Sequence, residues 1–404
     1  MTRPSAGLPG AGVLSEPSYR RLWVSGLFVN VARWMDLVTL GWLALQLTGS
    51  PFLVALAAFA RTAPLMVVGP FAGIVADRVP RGRVLLVAQA SAGATALTLA
   101  LVFGGGIGGY WWLVALEVVF GMVWALDFPA RRSALYALLG ASRVAQAVSL
   151  ETVSMQLAKI FGPLLAGVCL ARVGPAASFA LMAVAYAGGL IACRGLGSRL
   201  DAAGGAAPTS IAESMREGLH AAWTNPTVRA TLLVTIAMNT LFFPYQHMLP
   251  VFARDVLAVG PVALGALVAA DGCGSLVGAL VIASGRAGLA YRTIFGVAVM
   301  TAPVLLIALS ASRSTAVCVV LFVLIGIAES GFATMQATLV LLSAPARVRG
   351  AVLGILSACI GTQPLGTLAI GLLAAAIGAP LTFTVNALAA LVVIVPLAVP
   401  LVRR

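Results

Sequence analysis

Charge is scarce in this 404-residue chain. Asp, Glu, Lys and Arg together make up 9% of it, against 61% hydrophobic residues and a mean hydropathy of +1.05. A soluble domain carries roughly 25% charged residues because its surface must be wetted, so that class is excluded. Lys159 is the sole lysine, and His220 and His247 are the only histidines. No Gly-x-x-x-x-Gly-Lys loop leads into Lys159, which argues against ATP-driven work within the chain. No nucleophile–His–acid set is evident and no loop is long enough to hold a catalytic domain, so no enzyme is expected. The five cysteines (Cys169, Cys193, Cys273, Cys318, Cys359) fall inside apolar runs, without Cys-x-x-Cys or Cys/His spacing. Disulfides, metal sites and cofactors are therefore not expected. The net charge of +13 comes from arginines scattered singly between apolar runs, without interleaved aromatics, which argues against nucleic acid.

What the chain has in abundance is apolar runs. A membrane-spanning helix needs about 20 apolar residues. Twelve such segments lie near 22–46, 52–76, 83–104, 111–129, 146–170, 175–194, 229–251, 261–284, 291–310, 314–337, 350–376 and 380–401. Gly49-Ser50-Pro51, Gly174-Pro175, Gly260-Pro261 and Gly378-Ala379-Pro380 mark breaks between them. About twenty mostly polar residues precede the first run, which is long enough to span rather than to be removed as a signal. The class is an all-α integral membrane protein.

Arginine placement orients it, since short cytoplasmic loops collect Lys and Arg. With the amino terminus inside, inner segments hold 19 of the 25 basic residues, and the outer loops hold only Arg172, Arg254 and Arg313. Both termini are expected to face the cytoplasm. The longest polar stretch falls midway, at 195–228. In it Ile211, Met215, Leu219 and Trp223 recur at helical spacing opposite Glu213, Arg216, Glu217 and His220. That pattern predicts an amphipathic helix on the inner membrane surface, or else a loosely ordered linker. The resulting organisation is a cytoplasmic segment 1–20, a six-helix bundle 21–195, a linker 196–228 and a second six-helix bundle 229–404. LLGASRVAQAV (138–148) and LLSAPARVRGAV (341–352) precede spans five and eleven alike, a faint sign of repeated halves.

The densest charge lies in GPFAGIVADRVPRGR (69–83), between spans two and three. Its arginines enforce topology. Asp77 does not, and a carboxylate at a helix carboxyl end meets an unfavourable dipole and needs a partner. The stretch resembles the loop of the major facilitator superfamily, Gly-x-x-x-Asp-Arg-x-Gly-Arg-Arg/Lys. Gly73, Asp77, Arg78 and Arg81 match it, while Pro80 replaces its Gly and Gly82 stands where a base is usual. The resemblance implies twelve helices in two pseudo-symmetric bundles, and a latch between their cytoplasmic ends formed by Asp77 and Arg81. Gly162-Pro163-Leu164-Leu165-Ala166-Gly167 in span five is similar to the Gly-Pro-x-x-Gly-Gly element of the family's exporters. A generic kinked helix would explain the same residues. YRRLWVSGLFVNVARWMDLVTLGWLALQLTGSP (19–51), WALDFPARRSAL (124–135) and LPVFARDVLAVGPVALGAL (249–267) resemble the branch that contains the enterobactin exporter and related siderophore and drug exporters.

Charges inside spans are costly, at least about 2.5–3.5 kcal/mol each at mid-membrane, so each invites a role. Arg33 and Asp36 lie i, i+3 on span one, as a self-neutralising pair or as a cavity lining with Asn30 and Trp34. Arg61 on span two needs Asp36, Glu117 or an anionic substrate group as partner. Glu117 could instead snorkel outward. Lys159 is expected to pair between helices first and touch substrate second. Asp271 and Glu329 have no basic neighbour on their own helices. A carboxyl group away from water favours its neutral form, so these two, with Asp36 third, are candidates to carry the coupling proton. Asn239, Tyr245, Gln246 and Gln336 complete a candidate cavity, the first three around Pro244 where span seven should break.

These features lead to one expectation: a monomeric secondary transporter of the bacterial cytoplasmic membrane, exporting a small organic molecule such as a siderophore or drug-like compound against inward proton flow. A same-fold importer or facilitator is the alternative, and a membrane receptor or enzyme a more distant one. Arg33, Arg61 and Lys159 hint at an anionic group on the substrate.

Overall fold

A computed structural model describes residues 11–196, 211–284, 289–345 and 348–402, with the side chains of 69–78 and 211–215 among those left out of the description. Among the described residues, twelve helices are long and apolar enough to cross a membrane. They are α1 (Pro17–Thr48), α2 (Pro51–Arg78), α3 (Arg81–Gly104), α4 (Tyr110–Gly140), α5 (Gln146–Arg172), α6 (Pro175–Cys193), α7 (Pro226–Asp255), α8 (Pro261–Ala283), α9 (Tyr291–Ala311), α10 (Thr315–Ser343), α11 (Arg349–Ile377) and α12 (Ala379–Val402). A separate helix, Ile211–Thr224, lies in the sequence between α6 and α7.

Local chemistry sets the boundaries. Pro51, Pro175, Pro226 and Pro261 open helices at a position whose N–H has no intrahelical partner anyway. The Asn225 side chain accepts from the N–H groups of Thr227 and Val228, capping α7. At Gly49, φ is 64°, and its N–H closes α1 onto the Leu45 carbonyl. Gly140, at φ 65°, is the break between α4 and α5, which otherwise form one helical run from Tyr110 to Arg172.

One expected boundary needs correcting. Span four was drawn to end at residue 129, but α4 continues through Pro129 to Gly140. Arg131 and Arg132, which follow the expected end of span four, are therefore helical, and Arg131 is 7% exposed. Span seven does break, as expected. Its first helix, Pro226–Ala237, gives way to a π turn at Met238–Phe242, a 3-10 turn at Phe243–Met248 and a last helix at Leu249–Asp255. Pro244 supplies no N–H to an α ladder at that point.

The helices sort by packing into α1–α6 and α7–α12. The two groups meet chiefly through α5 on α8 and α2 on α11. Replacing each helix by the one six places on exchanges these two interfaces, which is the contact pattern of a two-fold repeat. Glycines permit the close approaches. A Cβ on Gly265 would strike the Pro163 carbonyl, one on Gly167 the Pro261 carbonyl, one on Gly371 the Ala55 side chain, and one on Gly41 the Pro250 ring. All of these lie toward the end away from the termini, the far end. The near half of α11, Arg349–Ile360, packs within its own group and on the Ile211–Thr224 helix.

Candidate functional site

Among the described residues, two buried clusters within the spans set one cation against two carboxylates. The first is built by α1, α2 and α4. Arg61 sits on α2 at its crossing with α4, where a Cβ on Gly121 would strike the Arg61 carbonyl. Its Nη1 lies 2.8 Å from Asp36 Oδ2 and 3.4 Å from Glu117 Oε2. Both acids are fully buried, so Glu117 does not snorkel outward. Phe120 lies beneath the Arg61 guanidinium, 5.5 Å from Cζ to ring centroid. Arg33 does not pair with Asp36 as its spacing suggested. Its guanidinium instead stacks over Trp124, 3.5 Å from the ring centroid.

The second cluster crosses the interface between the helix groups. Lys159 of α5 reaches Asp271 Oδ2 of α8 at 2.7 Å and Glu329 Oε2 of α10 at 3.0 Å. Its Nζ also approaches the Ser275 hydroxyl at 3.4 Å and faces Trp34 of α1, 5.3 Å from the ring centroid. Tyr245 and Gln246, on the 3-10 turn of α7, donate to Glu329 Oε1 at 3.2 and 3.1 Å. Pro163 contributes from a distance: it lacks the N–H that would bond to the Lys159 carbonyl four residues back. A Cβ on Gly272 would crowd that same carbonyl carbon. Asp271 and Glu329, which have no base on their own helices, thus share one from the other helix group.

The clusters are related. Arg61 stands ten residues after Pro51, and Asp271 ten after Pro261. A Cβ on Gly121 would strike the Arg61 carbonyl, and one on Gly326 the Asp271 carbonyl. The α2/α4 crossing is therefore repeated at α8/α10, with a cation at one and an acid at the other.

Several expected residues join neither cluster. Asn239 donates to the Thr235 carbonyl, and Gln336 accepts from the Thr235 hydroxyl. Asn30 is buried on α1. Gly162 abuts Trp34 and the Val31 carbonyl, while Gly167 meets α8. The side chains at Gly73, Asp77 and Arg78 lie outside the described residues, so the latch is not visible. In this structure Arg61 and Lys159 are engaged by carboxylates and Arg33 by an indole ring.

One network went unforeseen. Arg131 forms a double hydrogen bond to Asp127 at 3.1 and 3.2 Å and donates to the Leu22 carbonyl of α1, while Gln89 of α3 donates to Asp127. Asp127 and Arg131 are i, i+4 on α4. That spacing was available in the sequence, but ending the helix at Pro129 concealed it.

Residues 10–403 match the family model described as transmembrane secretion effector. The chain is 28% identical over 366 residues to the multidrug efflux pump Tap of Mycobacterium tuberculosis, covering 88% of this chain and 86% of the pump. A staphyloferrin A transporter of Staphylococcus aureus is 24% identical over 170 residues, covering 42% and 43%. Among solved structures, a peptide transporter of the POT type superposes with a TM-score of 0.76 at 13% identity, covering 95% of each chain. An inward-facing, unoccupied bacterial homologue of the lysosomal transporter Spinster superposes with a TM-score of 0.70 at 14% identity, covering 96% and 95%.

Proposed function

Because the chain belongs to the transmembrane secretion effector family of major facilitator transporters, we propose that it exports a small organic molecule by alternating access, in exchange for protons. It is a multi-pass membrane transporter and not an enzyme. The bacterial cytoplasmic membrane is its place, with both termini inside, as the arginine count favours. The segments 21–195 and 229–404 act as the two rocking bundles, 196–228 joins them, and 1–20 precedes them. The protein works as a monomer.

The observation that carries this reading is the Lys159 bridge to Asp271 and Glu329 across the bundle interface. One ammonium serves two carboxylates, so the closed interface holds one negative charge in excess. An uncompensated charge away from water is costly, and one proton removes it. With the bundles packed at the far end, the state is open toward the cytoplasm. In it the protonated cluster keeps the far end shut. Losing the proton to the cytoplasm, with substrate aboard, favours opening to the outside. Proton and substrate thereby bias opposite poses, each only by its differential affinity for the two states. Asp271 and Glu329 carry this coupling. Gly73, Asp77, Arg78 and Arg81 latch the cytoplasmic ends in the opposite pose. Gly162, Pro163 and Gly167 shape the α5 face on which the bundles rock.

Similarity to a multidrug pump over most of both chains supports a drug-like substrate. Likeness to the staphyloferrin A transporter covers under half of each, and supports a siderophore less. The test is accumulation of candidate compounds in everted membrane vesicles with and without an imposed pH gradient. Gradient-dependent uptake into everted vesicles, lost in Asp271→Asn and Glu329→Gln, is expected. Transport in the opposite sense, or without regard to the gradient, would replace this reading with an importer or facilitator.

A further inference from the structure

The Arg61 cluster offers fewer donors than its acids can accept. Asp36 and Glu117 both address the single Nη1 of Arg61, at 2.8 and 3.4 Å. Neither oxygen of Asp36, nor Oε1 of Glu117, receives a hydrogen bond from a described donor. Both side chains are completely buried. Asp36 Oδ2 and Glu117 Oε2 both approach the same Arg61 nitrogen, which brings the two carboxyl groups side by side. The other ionisable groups facing the cluster are Arg33 of α1, Tyr186 of α6 and, beyond Arg61, His247 of α7. Arg33 is stacked on Trp124 and makes no described ion pair with either acid.

Two ionised carboxylates in contact repel each other, and one proton between them turns that repulsion into a short, charge-assisted hydrogen bond. We propose that Asp36 and Glu117 hold a single proton between them, which makes this buried pair a proton-binding site distinct from the one at Lys159. The pair then carries one negative charge, which Arg61 balances. Glu117 becomes a proton-site residue rather than a cavity wall. Each bundle then has a site in which one cation faces two carboxylates: the first takes its cation from its own bundle, the second from its neighbour. Use of this proton in transport rests on the exporter reading, but its presence in the resting protein does not.

Infrared spectroscopy of the full-length protein in proteoliposomes at neutral pH tests it. The readout is the carbonyl stretch of a neutral carboxylic acid, edited by 13C-carboxyl labelling of aspartate or of glutamate. Wild type should show neutral-acid intensity that Asp36→Asn and Glu117→Gln each remove, because either change leaves the remaining acid ionised against Arg61. Intensity unchanged in both variants would mean that both acids are ionised, and would overturn the proposal. Loss in only one variant would place the proton on that acid alone and overturn the sharing. If Glu117→Gln fails to fold, Glu117→Asp retains the acid, and the glutamate-label intensity must then fall while aspartate-label intensity persists. Glutamate-label intensity equal to that of wild type refutes the site. A band unaffected by either variant, with intact gradient-driven export, would sink this site alone, and a shared-proton band without such export would sink only the exporter reading.

Discussion

The Arg61 and Lys159 clusters contain the same ingredients, one cation and two carboxylates, in different places. Arg61, Asp36 and Glu117 sit on three helices that stay together in one bundle. Lys159 sits in one bundle and its acids in the other. The first cluster can hold charge through a rocking motion. Under the proposed alternating access, the second would have to stretch or break as α5 separates from α8. The equivalent crossings, marked by Gly121 and Gly326, carry Arg61 at one and Asp271 at the other.

The most severe way to break the comparison is to remove each cation. Lys159→Met and Arg61→Met each leave two buried acids unpaired, at about 3–5 kcal/mol in stability. Melting followed by tryptophan fluorescence in detergent should report similar losses for both. The difference lies in the readout of pose: Lys159→Met should open the far end, and Arg61→Met should leave it closed. A smaller effect is expected at Gln246, which touches only the second cluster. Gln246→Leu removes a hydrogen bond to a charged carboxylate, about 1.5–3 kcal/mol, and should lower melting while slowing gradient-driven export. The smallest is at Trp124, on the first cluster. Trp124→Leu loses the stack on Arg33, worth up to about 2 kcal/mol. It should lower the melting temperature modestly and leave the pH dependence of export unchanged.

Much of the fold was legible in the sequence, because each span is long and apolar and most breaks carry Gly or Pro. The bend in α7 was legible from Pro244 for the same local reason. Helix pairing was not. Asp271 and Glu329 showed no base on their own helices, and only packing brings Lys159 of α5 to them. Arg33 and Asp36 illustrate the converse. Their i, i+3 spacing permits a pair, yet Arg61 takes the acid and Trp124 takes the arginine, because neighbouring helices offer nearer partners. The equal spacing of Arg61 from Pro51 and of Asp271 from Pro261 was a usable signal. It becomes meaningful once the crossings at Gly121 and Gly326 align the two bundles.

The most direct test of the account is the far-end distance between bundles as a function of pH. Spin labels on Leu47→Cys of α1 and Val262→Cys of α8, in reconstituted protein lacking the five native cysteines, read it by double electron–electron resonance. At acid and neutral pH the distance should be short, and raising the pH should lengthen it as the Lys159 cluster loses its proton. Asp271→Asn, which keeps that cluster neutral, should hold the short distance throughout. A wild-type distance indifferent to pH, or an Asp271→Asn protein fixed in the long state, would contradict the claim that a proton at the Lys159 bridge keeps the far end closed.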